Sequence, residues 1–318
     1  MRINNNITAI NSHRQYNINN GRMGRNMERL SSGFRINRAA DDAAGLAISE
    51  KMRAQIRGMN QASRNSQDAI SLVQIAEGGM QTIQDILQRM RELAVQSAND
   101  TNQDSVDREA LQLELAQLVL EIDEIADTTE FNQMSLLNAT SGTFALLDTP
   151  GGNTMSASQF IIQAGANFGQ TMSITIGKMT AQGLGITLAT TLEEAALVSN
   201  SVGVGGVFQG VATQMSSSLV SIKTRYAAHA SIAIIDRALN CVSMQRAHLG
   251  AYQNRLEFKV QNLNNQAENV AASESRIRDA DMALMMTEFT RNNILFQAST
   301  AMLAQANTLP QGVLQLLG

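Results

Sequence analysis

Apolar residues recur at intervals of three and four along both ends of this chain, and that rhythm lapses in the middle. Near the C-terminus Leu295, Ala298, Met302, Ala306, Leu309, Val313 and Leu316 keep the spacing throughout, which aligns them along one side of a helix. Ile3, Ile7 and Ile10 begin a comparable stripe at the other end, so the two termini are predicted to lie side by side as helices. The first helix is expected from about Asn4 to Ser32, where Ser31-Ser32-Gly33 supplies a left-handed stop. Residues 34–40 read as extended, and Asp41-Asp42 then offers side-chain acceptors for the bare N–H groups of a new helix.

From Ala43 to about Asn99 the pattern is strongly helical, with Met52, Ile56, Met59, Ile70, Val73, Met80, Ile83, Leu87, Met90 and Ala94 on one side. Gly78-Gly79 is the expected site of a bend. A second helix from Val106 to Asp127 carries Leu111, Leu115, Leu118, Ile122 and Ile125, which suits an antiparallel helical hairpin. A third, from about Tyr226 to Ala272, holds a heptad register through Ile232, Ile235, Leu239, Val242, Leu249, Leu256, Val260, Leu263 and Val270. A break around Arg276-Ile277-Arg278-Asp279 precedes the last helix.

Between them the period shortens. Ser158–Gln163 and Gln170–Ile176 are strand candidates around Gly165-Ala166-Asn167, a hairpin arrangement. The rest of the middle is rich in Gly, Ser and Thr, with one short helix expected near Glu193-Glu194. The fold class is therefore mainly α: a long antiparallel, coiled-coil-like helical rod drawn from both chain ends, with a small β-hairpin region in the middle.

Composition sharpens this picture. The 318 residues are 44% apolar but only 4% aromatic, with no Trp and 17 Met, so the hydrophobic surface comes mostly from Ala, Leu, Ile and Met. Such residues favour long helices in thin bundles over a thick globule. A net charge of -4 gives no argument for nucleic acid or an anionic membrane as partner. Its distribution is uneven: residues 1–60 hold ten Arg or Lys against four Asp or Glu, and residues 77–130 hold thirteen acids against three bases. These bands are either solvated faces or complementary surfaces of neighbouring subunits. The opening residues lack the apolar core of a secretory signal, and no run of apolar residues is long enough to span a membrane.

No constellation of catalytic or metal-binding residues stands out, and no cofactor is expected. Asp41-Asp42 has no His, Cys or third carboxylate at ligand spacing, and His13, His229 and His248 are scattered. Cys241, the single cysteine, sits one residue off an apolar stripe and reads as a packing residue.

Several segments resemble bacterial flagellin, the subunit of the flagellar filament. They are Glu28-Arg29-Leu30-Ser31-Ser32-Gly33-Phe34-Arg35-Ile36-Asn37, Asp41-Asp42-Ala43-Ala44-Gly45-Leu46-Ala47-Ile48 and Met90-Arg91-Glu92-Leu93-Ala94-Val95-Gln96-Ser97-Ala98-Asn99. At the far end they are Gly250-Ala251-Tyr252-Gln253-Asn254-Arg255-Leu256, Glu274-Ser275-Arg276-Ile277-Arg278-Asp279-Ala280-Asp281 and Met302-Leu303-Ala304-Gln305-Ala306-Asn307.

The resemblance implies a non-enzymatic subunit that polymerises into a filament for motility and leaves the cell unfolded through the flagellar type III channel. It divides the chain into terminal helices of the inner filament core (1–33 plus 282–318), spoke linkers (34–42 plus 275–281), a helical rod with its β-hairpin (43–186 plus 226–274) and a short surface insertion (187–225). Ile3, Ile7, Ile10, Leu295, Met302, Leu309, Val313 and Leu316 are the expected filament-core contacts. The partners implied are other copies of the chain, a flagellar export chaperone, and the filament cap and hook-junction proteins. Arg89, Leu93 and Glu114 occupy the places that contact the vertebrate Toll-like flagellin receptor in relatives, with subunit packing as their other role. The implied location is the filament, extracellular, or periplasmic in a spirochaete.

Three rivals follow from the same residues. The hook–filament junction protein shares the terminal helices, but in that family the acidic pair is typically followed by Pro, where this chain has Ala43-Ala44-Gly45. A filament-borne zinc protease needs a His-Glu-x-x-His that is lacking. A cytoplasmic coiled-coil adaptor is the third. Ordering a terminal segment costs backbone entropy that one partner helix does not return, so both termini are expected to be disordered in the monomer and helical once neighbours cover them.

Overall fold

The computed structural model describes residues 6–99, 106–138, 143–148, 154–188 and 219–317. Five helices dominate: α1 (Ile7–Ser32), α2 (Ala43–Ser97), α3 (Asp107–Thr128), α4 (Arg225–Arg278) and α5 (Met282–Leu317). Between α3 and α4 lie short strands: β1 (Glu130–Phe131), β2 (Met134–Ser135), β3 (Thr143–Asp148), β4 (Thr154–Gln163), β5 (Thr171–Gly177), β6 (Thr187–Leu188) and β7 (Leu219–Val220). The chain divides into two compact units, Met1–Gly58 with Asn265–Gly318 and Met59–Asn264, so α2 and α4 each contribute to both.

In the unit Met59–Asn264 the core is built from heptads. On α2 the buried positions Met59, Ala62, Ser66, Ala69, Val73, Ala76, Met80, Ile83, Leu87, Met90, Ala94 and Ser97 alternate steps of three and four without a gap. Ala238, Val242, Leu249 and Leu256 of α4 and Leu115, Val119 and Ile122 of α3 join them. Small side chains let the helices approach closely. The helix is not interrupted at Gly78-Gly79, and α2 runs through both glycines. Gly79 serves close approach instead: a Cβ there would fall 2.7 Å from Thr129 Oγ1 and 3.0 Å from Leu137 Cδ1.

The β region is larger than the sequence suggests. The expected hairpin forms as β4 and β5, and β3 pairs antiparallel to β4 on its other side, giving the order β3-β4-β5. Met172, Ile174 and Ile176 of β5 alternate inward, as a half-buried strand requires. Gln245 Nε2 donates to Thr175 O at 3.0 Å and Asn65 Nδ2 to Gln163 O at 3.2 Å, tying the sheet to α4 and α2. β1 and β2 form a tight hairpin whose two turn residues, Asn132 (φ 50) and Gln133 (φ 63), both adopt positive φ.

One end of this unit is closed by buried polar groups. Arg108 Nε donates to Ser97 O at 2.9 Å and its Nη2 to Asn99 O at 3.0 Å, while Gln112 Oε1 accepts from Ile222 N at 2.7 Å. Ser231 Oγ accepts from Ser221 N and donates to Ser221 O. These contacts join the end of α2, the start of α3 and the chain that returns through β7. The parallel pairing of β6 with β7 brackets residues 189–218, where the short helix expected near Glu193-Glu194 lies outside the described residues.

In the other unit α1 is capped by Asn6, whose side chain accepts from Ala9 N at 3.1 Å, and ends at Gly33 with φ 73, the left-handed stop its sequence predicts. The preceding helix, expected to end near Ala272, runs on to the predicted break. α4 continues through Arg278, because Arg278 Nη1 reaches Glu50 at 2.6 Å and its guanidinium lies 4.8 Å from the Phe34 ring centroid. Residues 279–281 alone separate α4 from α5, and Asp281 caps α5 by accepting from Ala283 N and Leu284 N. The two linkers meet there: Arg35 N donates to Arg278 O at 2.7 Å and Ala280 N to Gly33 O at 2.9 Å.

The acidic pair splits its work. Asp42 Oδ1 accepts from Gly45 N at 2.9 Å, capping α2 as expected. Asp41 folds back instead, accepting from Asn37 N and Arg38 N, with Arg29 Nη2 at 3.5 Å.

Candidate assembly surfaces

α1 and α5 lie antiparallel, in the register set by three contacts: Asn6 Nδ2 to Ala306 O at 2.7 Å, Tyr16 against Phe296 with centroids 5.1 Å apart, and Asn19 Nδ2 to Leu295 O at 3.4 Å. The seam between them is not the one the apolar stripes predict. On α1 the covered positions are Ala9, Ser12, Tyr16, Asn19, Met23, Asn26 and Leu30. On α5 they are Met285, Phe289, Asn292, Phe296, Ser299, Leu303 and Ala306. Both sets step by three and four, but every other layer holds Asn, Ser or Ala.

The predicted stripe residues point elsewhere. Ile7 is 66% exposed, Ile10 62%, Leu295 41% and Met302 62%. Ile18 and Met27 on α1, and Met282, Leu284, Met286 and Ile294 on α5, are exposed as well. The reason is phase: Leu295 and Phe296 differ by one residue, about 100° around a helix, and the bulkier aromatic takes the seam. A shallow groove of about 510 Å³ runs along this outer face, lined by Met286, Thr287, Thr290, Arg291, Ile294 and Leu295. Ile3 lies outside the described residues, as do the side-chain surroundings of Leu309, Val313 and Leu316.

Of the three residues singled out on α2 and α3, two meet on the surface. Arg89 bridges Glu114 at 2.8 Å and Glu92 at 3.2 Å, and these carboxylates hold its guanidinium above its ordinary pKa. Leu93 departs from the expectation. It is 1% exposed and belongs to the α2 core seam, so it presents no side chain to a partner in this fold.

The remaining chemistry is plain. Cys241 is half-buried, and burial pushes its thiol pKa up, away from the thiolate a nucleophile needs. Among the described residues no group of three His, Cys, Asp or Glu side chains is placed to hold a metal ion, and no helix is long and apolar enough to cross a membrane.

Long heptad helices with outward apolar faces define a structural subunit. The Bacterial flagellin N-terminal helical region matches residues 3–142, and the Bacterial flagellin C-terminal helical region matches residues 232–317. Flagellin of Halalkalibacterium halodurans is 49% identical over 317 residues, and the flagellar filament 31.3 kDa core protein of Treponema maltophilum 46% over 317, each covering all of both chains. The chain belongs to the bacterial flagellins: it is a structural subunit that polymerises into the flagellar filament. Among solved structures, that of a putative flagellar hook-associated protein from Vibrio parahaemolyticus shares the fold, with TM-score 0.51 and 18% identity, covering 75% of this chain and 100% of that one.

Proposed function

We propose that the outward apolar faces of α1 and α5, with Ile7, Ile10, Leu295 and Met302, are the surfaces through which subunits pack at the filament core, and that Ile3, Leu309, Val313 and Leu316 extend them. The observation that carries this reading is the exposure of Ile7, Ile10, Leu295 and Met302 while the intrachain seam is polar in alternate layers. A repeated contact between two different faces of identical chains propagates as a helix, and such faces stay uncovered until a second copy arrives. On this reading 1–33 plus 282–318 form the inner core, 34–42 plus 275–281 the spokes, 43–186 plus 226–274 the rod, and 187–225 a short outer insertion. The test is an Ile10→Ser, Met302→Ser chain added to filament seeds. Growth should fall at least tenfold while the Met59–Asn264 unit melts as in the parent; unchanged growth would refute the assignment.

The same face accounts for passage before assembly. The chain travels unfolded through the type III channel, and an export chaperone shields the apolar side of α5 until then; a chain lacking residues 282–318 that still bound such a chaperone would contradict this. Cap and hook-junction proteins meet the filament ends through the faces that subunits use among themselves. At the rod, Arg89 and Glu114 are the receptor-facing pair, and Leu93 acts by packing beneath them. Monomer with Arg89→Ala and Glu114→Ala should lose Toll-like receptor signalling, and full signalling would remove the assignment. The filament is extracellular; labelling of intact cells by an antibody to it checks this, and labelling only after outer-membrane removal would place it in the periplasm.

A further inference from the structure

The α1–α5 pair is unusual for an isolated two-helix contact: its seam is polar in alternate layers while Ile7, Ile10, Leu295 and Met302 face away. Asn19 and Asn26 are buried on α1, and Asn292 and Ser299 on α5. Their spacing is seven residues on each helix. In the register fixed by Tyr16 with Phe296, Asn19 falls level with Asn292 and Ser12 with Ser299. Asn19 uses its amide on a main-chain carbonyl of α5, and Asn6 does the same one end further along. Asn26 Nδ2 is buried and has no hydrogen-bond partner.

A buried amide in a helical seam lowers stability but restricts the register, because a slip of less than a heptad sets it against an apolar layer. A slip of three or four residues here places Asn19 against Phe296 or Phe289. The outer faces, by contrast, carry no such restriction, since Ile, Leu and Met pack in many alignments.

We propose that Asn19 and Asn292, which lie level with each other, are the specificity-determining residues of terminal-helix pairing, and that Asn26, level with Met285 and without a hydrogen-bond partner, weakens it. Together they keep the α1–α5 pair of a lone chain weak, and the Asn19–Asn292 layer disfavours slips of three or four residues when neighbours cover its outer faces. Apolar burial between subunits then supplies the stability, and the amides supply the alignment. The inference rests on the reading of the outer faces as subunit contacts.

The experiment compares the full chain with an Asn19→Leu, Asn26→Leu variant. Leucine keeps the branched outline of asparagine and is somewhat larger, so the substitution leaves no cavity. Dilute variant monomer should gain helical circular dichroism at 222 nm and resist terminal proteolysis. Its growth on parent filament seeds should slow at least fivefold, because prematurely paired or slipped termini must reopen. A monomer without helical gain, or growth at the parental rate, overturns the proposal. The Ile10→Ser, Met302→Ser chain keeps the two readings apart: loss of growth there alongside a null result for the leucine variant rejects the amides' role and leaves the outer faces in place.

Discussion

Asp41 shows how much one carboxylate organises where α1 hands over to α2. The Arg38 amide first, then the Asn37 amide and the Arg29 guanidinium, hold its carboxyl below the usual range. A depressed folded pKa means stability present above the unfolded value, about 3.9 for Asp, and lost as pH falls through the folded one. Thermal stability of the parent should therefore drop below about pH 4 more steeply than that of Asp41→Asn, whose amide has no such titration. Parallel melting curves of the two chains from pH 5 downward would disprove the role. Other residues act against their type. Arg108 and Gln112 are buried because each donates to or accepts from main chain that would otherwise lack a partner, and a hydropathy pattern carries no trace of that. Leu93, read as a contact, is a core residue, which its place in the α2 heptad already implies: Met90, Leu93 or Ala94, and Ser97 continue one stripe.

Among the elements, α2 best separates what glycine does from where it stands. Gly78 and Gly79 are neighbours in one helix, yet an added methyl meets nothing within 4 Å at Gly78 and meets Thr129 and Leu137 at Gly79. Gly78→Ala should stabilise the chain by up to about 1 kcal/mol through helix propensity. Gly79→Ala should destabilise it by about 1–3 kcal/mol, since Leu137 is fully buried and Thr129 Oγ1 is held by Ile125 O at 2.6 Å. Urea unfolding of both variants decides, and effects of the same sign would count against close packing at Gly79. The helices themselves were legible, because a period of three and four survives without knowledge of the partner. The rest was not, for local reasons. β1–β2 turns on Asn132-Gln133, which lacks the glycine that usually marks such a hairpin, and Thr143–Asp148 does not alternate cleanly. On α5 apolarity was the wrong guide to phase: the seam follows Phe296, Ser299 and Leu303, and the stripe of Leu295 and Met302 is left outside.

The two units of the molecule bury very different amounts of apolar side chain. Among the described residues, Met59–Asn264 holds Met80, Ile83, Leu87, Met90, Leu115, Ile122, Ile174, Ile176, Leu249 and Leu256 away from solvent. Among the described residues of the unit made from the termini, the buried apolar side chains are Ile36, Ala267, Met285 and Ala306. Local stability follows such burial, and amide exchange reads it directly. A helix pair with so thin a seam does not offset the entropy of ordering its backbone, whereas the heptad core does. In dilute monomer the amides of α1 and α5 should therefore exchange at close to the unprotected rate, while those of α2 beyond Met59 and of α3 stay protected. In assembled filaments both sets should be protected, because covering Ile7, Ile10, Leu295 and Met302 adds the burial that the lone chain lacks. Protection of α1 and α5 already present in the monomer would mean that the polar seam suffices, and the outward faces would then need another explanation.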